Sequence, residues 1–263
     1  MPIVSIEQLD WIVQQHPAMS HTVFDTWAAR KPGLATLGAT LYQIGAFCDA
    51  TRTCGSMAEG LTALGQDAAP QLLREIEESE RGHENRFLEM ARRLLIETEP
   101  EQARYLPLND LSSTHELLRQ LSVRRLNNVP GVHHKAGLLV QTVRSQLHFR
   151  QRADTRREMV AYNVGGMLAV EMLANRHIIP GEIRAIAYSD HYDVDLDQPD
   201  LAYLAEHAGE NGAEAQHEKA IRKITADLLE HDNLAAFVGN GAQITCDIVG
   251  EFYDVLETVL RFG

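Results

Sequence analysis

Two Glu-x-x-His pairs stand out in the chain, Glu80 with His83 and Glu214 with His217. Side chains three apart lie on one face of a helix, so each pair can present a carboxylate and an imidazole to one metal ion. A third acid, Glu171, is the one polar side chain in the run from Val164 to Ala174. A lone carboxylate in such a run is costly unless it is paired, protonated or bound to metal. Paired Glu-x-x-His motifs with further glutamates form the ligand set of carboxylate-bridged diiron sites inside helical bundles. Mixed carboxylate and imidazole donors suit iron or manganese, whereas structural zinc prefers thiolate and imidazole.

Register separates these residues from ordinary surface charge. A core-facing helix repeats its apolar positions at spacings of three and four. One such seam runs Leu73, Ile76, Glu80, His83, Phe87, Met90, Leu94, and only Glu80 and His83 on it are polar. Glu77, Glu78 and Glu84 lean away from it. A second seam runs Tyr203, His207, Glu210, Glu214, His217, Ile221, Ile224, Leu228, with four ionisable residues in succession. The third runs Val160, Val164, Met167, Glu171, Ala174, Ile178. The alternative for Glu171 is a buried ion pair with an arginine.

These seams need helices to carry them. Periodicity places helices at roughly 5–15, 19–30, 33–64, 67–97, 111–124, 132–176, 180–190, 200–231 and 233–262. Breaks fall at Lys31-Pro32-Gly33, Pro100, Pro107, Val129-Pro130-Gly131, Pro180-Gly181 and Gln198-Pro199-Asp200. The stretch 132–176 is long and Arg-rich in its middle, so it can also be read as two helices. Strand signals are weak, since aromatics total 6% and alternating β-branched runs are almost absent. The segment 189–200 is read as a solvated connection. The chain reads as one helical domain over residues 1–263.

Composition narrows the function classes. The 263 residues include 37 Asp+Glu against 24 Lys+Arg, a net charge of -13, with 12 His. That charge argues against nucleic-acid backbones and anionic membrane surfaces as partners. No apolar run reaches the length of a membrane span, and the first residues show no basic segment leading into an apolar one. Three scattered cysteines, Cys48, Cys54 and Cys246, make neither a disulfide framework nor a zinc ribbon, so a reducing cytoplasm is expected.

The order of these features resembles the heme-oxygenase-like diiron oxidases, relatives of the TenA thiaminases and of pyrroloquinoline-quinone synthase. QQHPAMSHTVFDTWAARKPGL resembles the family's opening helix pair, and EIEESERGHENRFLEMARRLL its first ligand-bearing segment. VGGMLAVEMLANRHIIPGEIRAI is similar to the helix with a lone Glu ligand, and YLAEHAGENGAEAQHEKA to the His-x3-Asp-x2-His segment. GAQITCDIVGEFYDVLETVL resembles the closing helix. The resemblance implies an all-α, heme-oxygenase-like bundle of about seven to nine helices. It implies two Fe(II) per chain, with O2 as co-substrate. Glu80 and His83 would hold one metal, Glu171 would bridge or complete the site, Glu214 stands where the family has Asp, and His217 is the last His. The family's first His falls at Glu210, with His207 one turn earlier. Either Glu210 replaces an imidazole or a helix distortion brings in His207.

What the resemblance implies functionally is a non-heme iron-dependent oxidase or oxygenase acting on a small organic substrate. The substrate class would be an amino acid, amine or fatty acid, and the outcome N-oxygenation, desaturation or C–C cleavage. No catalytic residue beyond the metal ligands is expected, and a homodimer is compatible with it. Tyr203 and Tyr162 would line the substrate pocket. The stretch with Arg144, Arg150, Arg152, Arg156 and Arg157 offers a guanidinium for a carboxylate, or else a solvated face. A ferritin-like four-helix bundle is the fold alternative, and it needs a carboxylate on the preceding helix, where Asp49 is the candidate. The residues also allow a metal-free TenA-like or pyrroloquinoline-quinone-synthase-like enzyme, with a cysteine such as Cys48 or Cys54 as nucleophile. They allow heme on His16 or His21, and a non-catalytic protein with a buried polar network.

Overall fold

The computed structural model describes residues 5–51, 53–230 and 233–262. The chain forms an all-α bundle. In order, the helices are α1 (Ile6–Gln14), α2 (Val23–Ala28), α3 (Leu34–Thr51), α4 (Ala58–Ala63), α5 (Ala69–Ser79), α6 (His83–Thr98), α7 (Pro100–Ala103) and α8 (Leu111–Leu126). A short hairpin, β1 (His134–Lys135) with β2 (Leu138–Leu139), precedes α9 (Val140–Phe149). Then come α10 (Arg157–Leu173), α11 (Ile179–Ile186), α12 (Ala202–His207), α13 (Ala213–Leu229) and α14 (Ala235–Arg261). A π-turn over Ala174–Ile178 joins α10 to α11.

Helix α10 is the axis of the bundle, buried at every position from Asn163 to Leu173. It packs backbone to backbone against α14. A methyl group at Gly165 would lie 1.9 Å from the Val238 carbonyl oxygen, and one at Gly241 would lie 1.8 Å from that of Tyr162. Only residues without a Cβ permit that approach. One apolar core runs from Leu9 on α1 to Leu260 on α14, with Phe24, Trp27, Phe252 and Tyr253 among its largest members. Helix α13 is tied alongside by ion pairs. Glu218 accepts from Arg176 of the π-turn and from Arg222, and both arginines also reach Asp10 of α1.

Several expected helices are interrupted, and the interruptions matter for the site. The stretch 67–97 divides at Glu80–Gly82, where Gly82 turns through φ +93°. The stretch 200–231 divides at 208–212, where Gly209 turns through φ +79°, and its expected end at 231 lies outside the described residues. The stretch 33–64 divides after Thr51 through a 3-10 turn over Thr53–Met57. The stretch 132–176 opens as the hairpin, which buried Gln43 holds to α3 by bonds to the Gly137 carbonyl and the Leu139 amide. It is then broken by a second 3-10 turn, Arg150–Ala153. The expected break at Pro180-Gly181 falls instead inside continuous helix. Pro180 occupies the first turn of α11 directly after the π-turn, whose wider winding runs on into α11 without a break. No helix among the described residues is long and apolar enough to cross a membrane.

Candidate metal centre

Two triads of potential ligands form at the interrupted ends of these helices. Glu80, His83 and His207 place one donor atom each within 4.8 Å of one another, and so do Glu171, Glu214 and His217. Glu80 caps the C-terminus of α5, and His83 begins α6 across the Gly82 turn. His207 ends α12, and Glu214 sits in the first turn of α13 with His217 one turn on. Glu171 comes from the buried last turn of α10, just before the π-turn, a helix irregularity frequent at functional sites.

The triads adjoin. Glu80 Oε1 lies 3.5 Å from His217 Nδ1 and 3.9 Å from His207 Nε2. His207 Nε2 is 3.7 Å from Glu214 Oε1, and His217 Nδ1 is 3.6 Å from Glu171 Oε2. Glu80 therefore stands between the two groups, where a bridging carboxylate would stand. No arginine pairs with Glu171 among the described residues; its neighbours are His217 and Glu214.

Hydrogen bonds on the far side of the His207 and His217 rings set which nitrogen faces the cluster. His207 donates from Nδ1 to the Tyr203 carbonyl at 2.5 Å, leaving Nε2 bare toward the carboxylates. Ser79 donates its hydroxyl proton to the Ile76 carbonyl at 2.7 Å, so it accepts from His217 Nε2–H at 2.6 Å and leaves Nδ1 bare. His83 donates from Nδ1 to Glu80 at 2.9 Å, while its Nε2 lies 3.6 Å from Glu206, which Arg86 holds by an ion pair. Such outer partners orient ligands and fix tautomers.

The electrostatics fit a cation. Burial raises the Glu214 carboxyl well above its usual range, and the neighbouring carboxylates of Glu171 and Glu80 add to this. Burial also pushes Glu80 up, but the His83 bond and the imidazoles of His83, His207 and His217 outweigh it and hold its carboxyl below normal. Burial drives His207 down to about 4, keeping it neutral as a ligand must be. Burial opposes protonation of His217 as well, yet Glu171 and Glu80 raise it. A carboxyl raised by its carboxylate neighbours belongs to a donor set that divalent cations would satisfy, and the hard oxygen and imidazole donors match iron or manganese.

Glu80, Glu171, His207, Glu214 and His217 open onto one cavity, otherwise walled mainly by Phe47, Ile76, Met167, Val170, Ile178 and Ile179. The space within it open to a water-sized sphere is about 50 Å³. Tyr203 lines it, with its hydroxyl 3.7 Å from Cys48 Sγ. Glu80 also borders a surface depression with Asp49, Glu77, Arg81 and Glu84. Ile76 and His217 border a second groove, between α5 and α13.

Some expected residues lie elsewhere. Glu210 sits exposed on the turn between α12 and α13, because the glycine break rotates it off the seam. Tyr162 does not line the cavity. It lies nine residues before Glu171 on α10, and its ring packs on His148 at 5.8 Å. Asp49 is exposed on α3 and joins neither triad. Arg144 and Arg156 pair with Glu251 and Asp154 at the surface, and Arg150 and Arg157 are also exposed. Arg152 is buried over the Phe149 ring and donates to the Thr51 carbonyl. His16 and His21 bond Asp247 and Asp254, remote in sequence from every triad member. Cys54 lines the cavity, but burial pushes its thiol up to about 12, far from a nucleophile's range. Ser79 and Glu206 were not visible as partners in the sequence. Ser79 adjoins Glu80, but nothing in its type or spacing marks it.

Comparison of the chain with models of known protein families, with curated proteins and with solved structures finds no match.

Proposed function

We propose that the chain is a non-heme diiron oxidase or oxygenase of the heme-oxygenase-like kind, which uses O2 on a small organic substrate. The observation that carries this reading is the position of Glu80 between two triads that together hold three carboxylates and three imidazoles. Glu80, His83 and His207 would hold one iron; Glu171, Glu214 and His217 would hold the other. Bound ferrous ions would supply electrons for O2 reduction and a template for the substrate.

The chain's own contribution is positional. His207 and His217 are fixed in opposite tautomers by the Tyr203 carbonyl and by Ser79, so each offers a bare nitrogen without reorganising. Phe47, Met167, Val170 and Ile178 keep the cavity apolar on the side away from the ligands, which excludes bulk water from reacting groups. The cavity has room for O2 beside these residues.

Anaerobic titration with ferrous ion, followed by iron analysis of the desalted protein, tests the reading. Two irons per chain are expected, and near-zero uptake by pure protein would overturn it. Glu171→Ala should abolish the absorbance change that follows exposure of the loaded protein to O2.

A further inference from the structure

Four buried polar atoms without a hydrogen-bond partner belong to three residues beside the metal cavity: both carboxyl oxygens of Glu182, the hydroxyl of Tyr253 and Nε2 of His177. Buried polar groups almost always find partners, and orphans grouped together mark ordered water or a functional role. Glu182 lies on α11 one turn beyond Ile178 and Ile179, which line the cavity, and on the same helix face. It is 1% exposed, and no cation pairs with it among the described residues. Burial raises its carboxyl to about 8, so it is neutral at pH 7 and can both donate and accept. When ionised, its charge would act on Tyr203 and Glu214 on the cavity side and on Tyr253 on the other.

From Tyr253 the series continues outward. Its ring lies 5.6 Å from His177 and 5.5 Å from His21. His21 donates to Asp254 at 3.1 Å in a surface groove that also holds His16 and Asp247. Neither Tyr253 nor His177 makes a direct side-chain bond at its orphan atom, so a bridging water at each would complete the series.

We propose that Glu182 is a proton donor to the metal cavity, resupplied from the surface through water held by Tyr253 and His177. The destination rests on the diiron reading above. Reduction of O2 takes electrons from the ferrous ions and protons from the protein. The O–H bond of the Glu182 carboxyl would break, its proton would pass along the Tyr203 side to reduced oxygen, and bulk water would restore it through the waters at Tyr253 and His177. Glu182 ends each cycle as it began.

Two measurements on full-length protein test this. In the metal-free protein at pH 7, infrared spectroscopy should show protonated-carboxyl absorption from the raised Glu182 and Glu214 carboxyls, of which Glu182→Gln removes one component and Tyr253→Phe shifts that same component. In the ferrous-loaded protein, stopped-flow oxidation by O2 should slow about 10²-fold in Glu182→Gln with iron stoichiometry unchanged, and by a smaller factor in Tyr253→Phe. Protonated-carboxyl absorption that loses no component in Glu182→Gln, or an unchanged oxidation rate in a variant holding two irons, overturns the proton path and leaves the metal reading standing. Wild-type protein that takes up no iron overturns the metal reading, and the path loses its destination with it. Should Glu182→Gln not fold, the Tyr253→Phe band shift and rate decide alone.

Discussion

At the scale of single residues, one substitution pair separates the two candidates for the family's first histidine. His207 is 2% exposed and turns a bare Nε2 toward Glu80 and Glu214, whereas Glu210 faces solvent. His207→Ala should therefore lower iron stoichiometry from two toward one, while Glu210→Ala leaves it at two, as read by metal analysis. Ser79→Ala should weaken iron binding by about tenfold through the freed His217 ring, and Ser79→Thr should restore it. The triad residues were legible as seam positions, since a lone charge at an apolar spacing is a signal that residue types alone carry. The partner groups were not, because a hydroxyl such as that of Ser79 has no distinctive spacing. Glu182 was also missed, although it too is an acid among apolar neighbours. The sequence around it contains a proline and a glycine, which read as a boundary rather than as buried helix.

At the scale of elements, the helices were legible, and so was the break in the Arg-rich middle of 132–176, which falls at Arg150–Ala153, but the breaks at Gly82 and Gly209 were not. The seam through Glu80 and His83 keeps its three-and-four spacing across the Gly82 turn, and all its apolar members are buried in α5 and α6. Periodicity therefore sees one helix where there are two. The same blindness joined α12 to α13 and put Glu210 on the seam. Packing between elements gives a sharper test. Gly165→Ala drives a methyl into the Val238 carbonyl, and both partners are backbone, so neither can swing aside. It should cost about 1–3 kcal/mol or more, seen as a lower denaturant midpoint. Gly33→Ala, where nothing lies within 4 Å, should stay within about 0.5 kcal/mol of wild type.

At the scale of the whole molecule, the histidines govern behaviour in acid. Burial holds His148, His177 and His207 near 4, against about 6.5 in an unfolded chain. Between those values the unfolded state binds more protons than the native state, so stability falls as pH drops through this window. Their contribution is flat above about 6.5 and exhausted below about 4. The raised carboxyls of Glu182 and Glu214 act in the opposite sense over this range, so urea midpoints measured from pH 7.5 to 4 should fall less with acid in the double change His148→Gln with His177→Gln than in wild type. An unchanged slope would remove burial of these imidazoles as its cause. The net charge of -13, by contrast, is a surface property and says nothing of the interior.

The turns at Gly82 and Gly209 bear on anyone who would transplant this centre. A designer who copies only the six ligands onto a continuous four-helix scaffold would set Glu80 and His83 on one unbroken helix and His207 seven residues before Glu214 on another. Here each of those pairs straddles a left-handed glycine that reverses the local course of the chain. The portable unit is therefore the pair of broken corners together with the turn of α10 that carries Glu171.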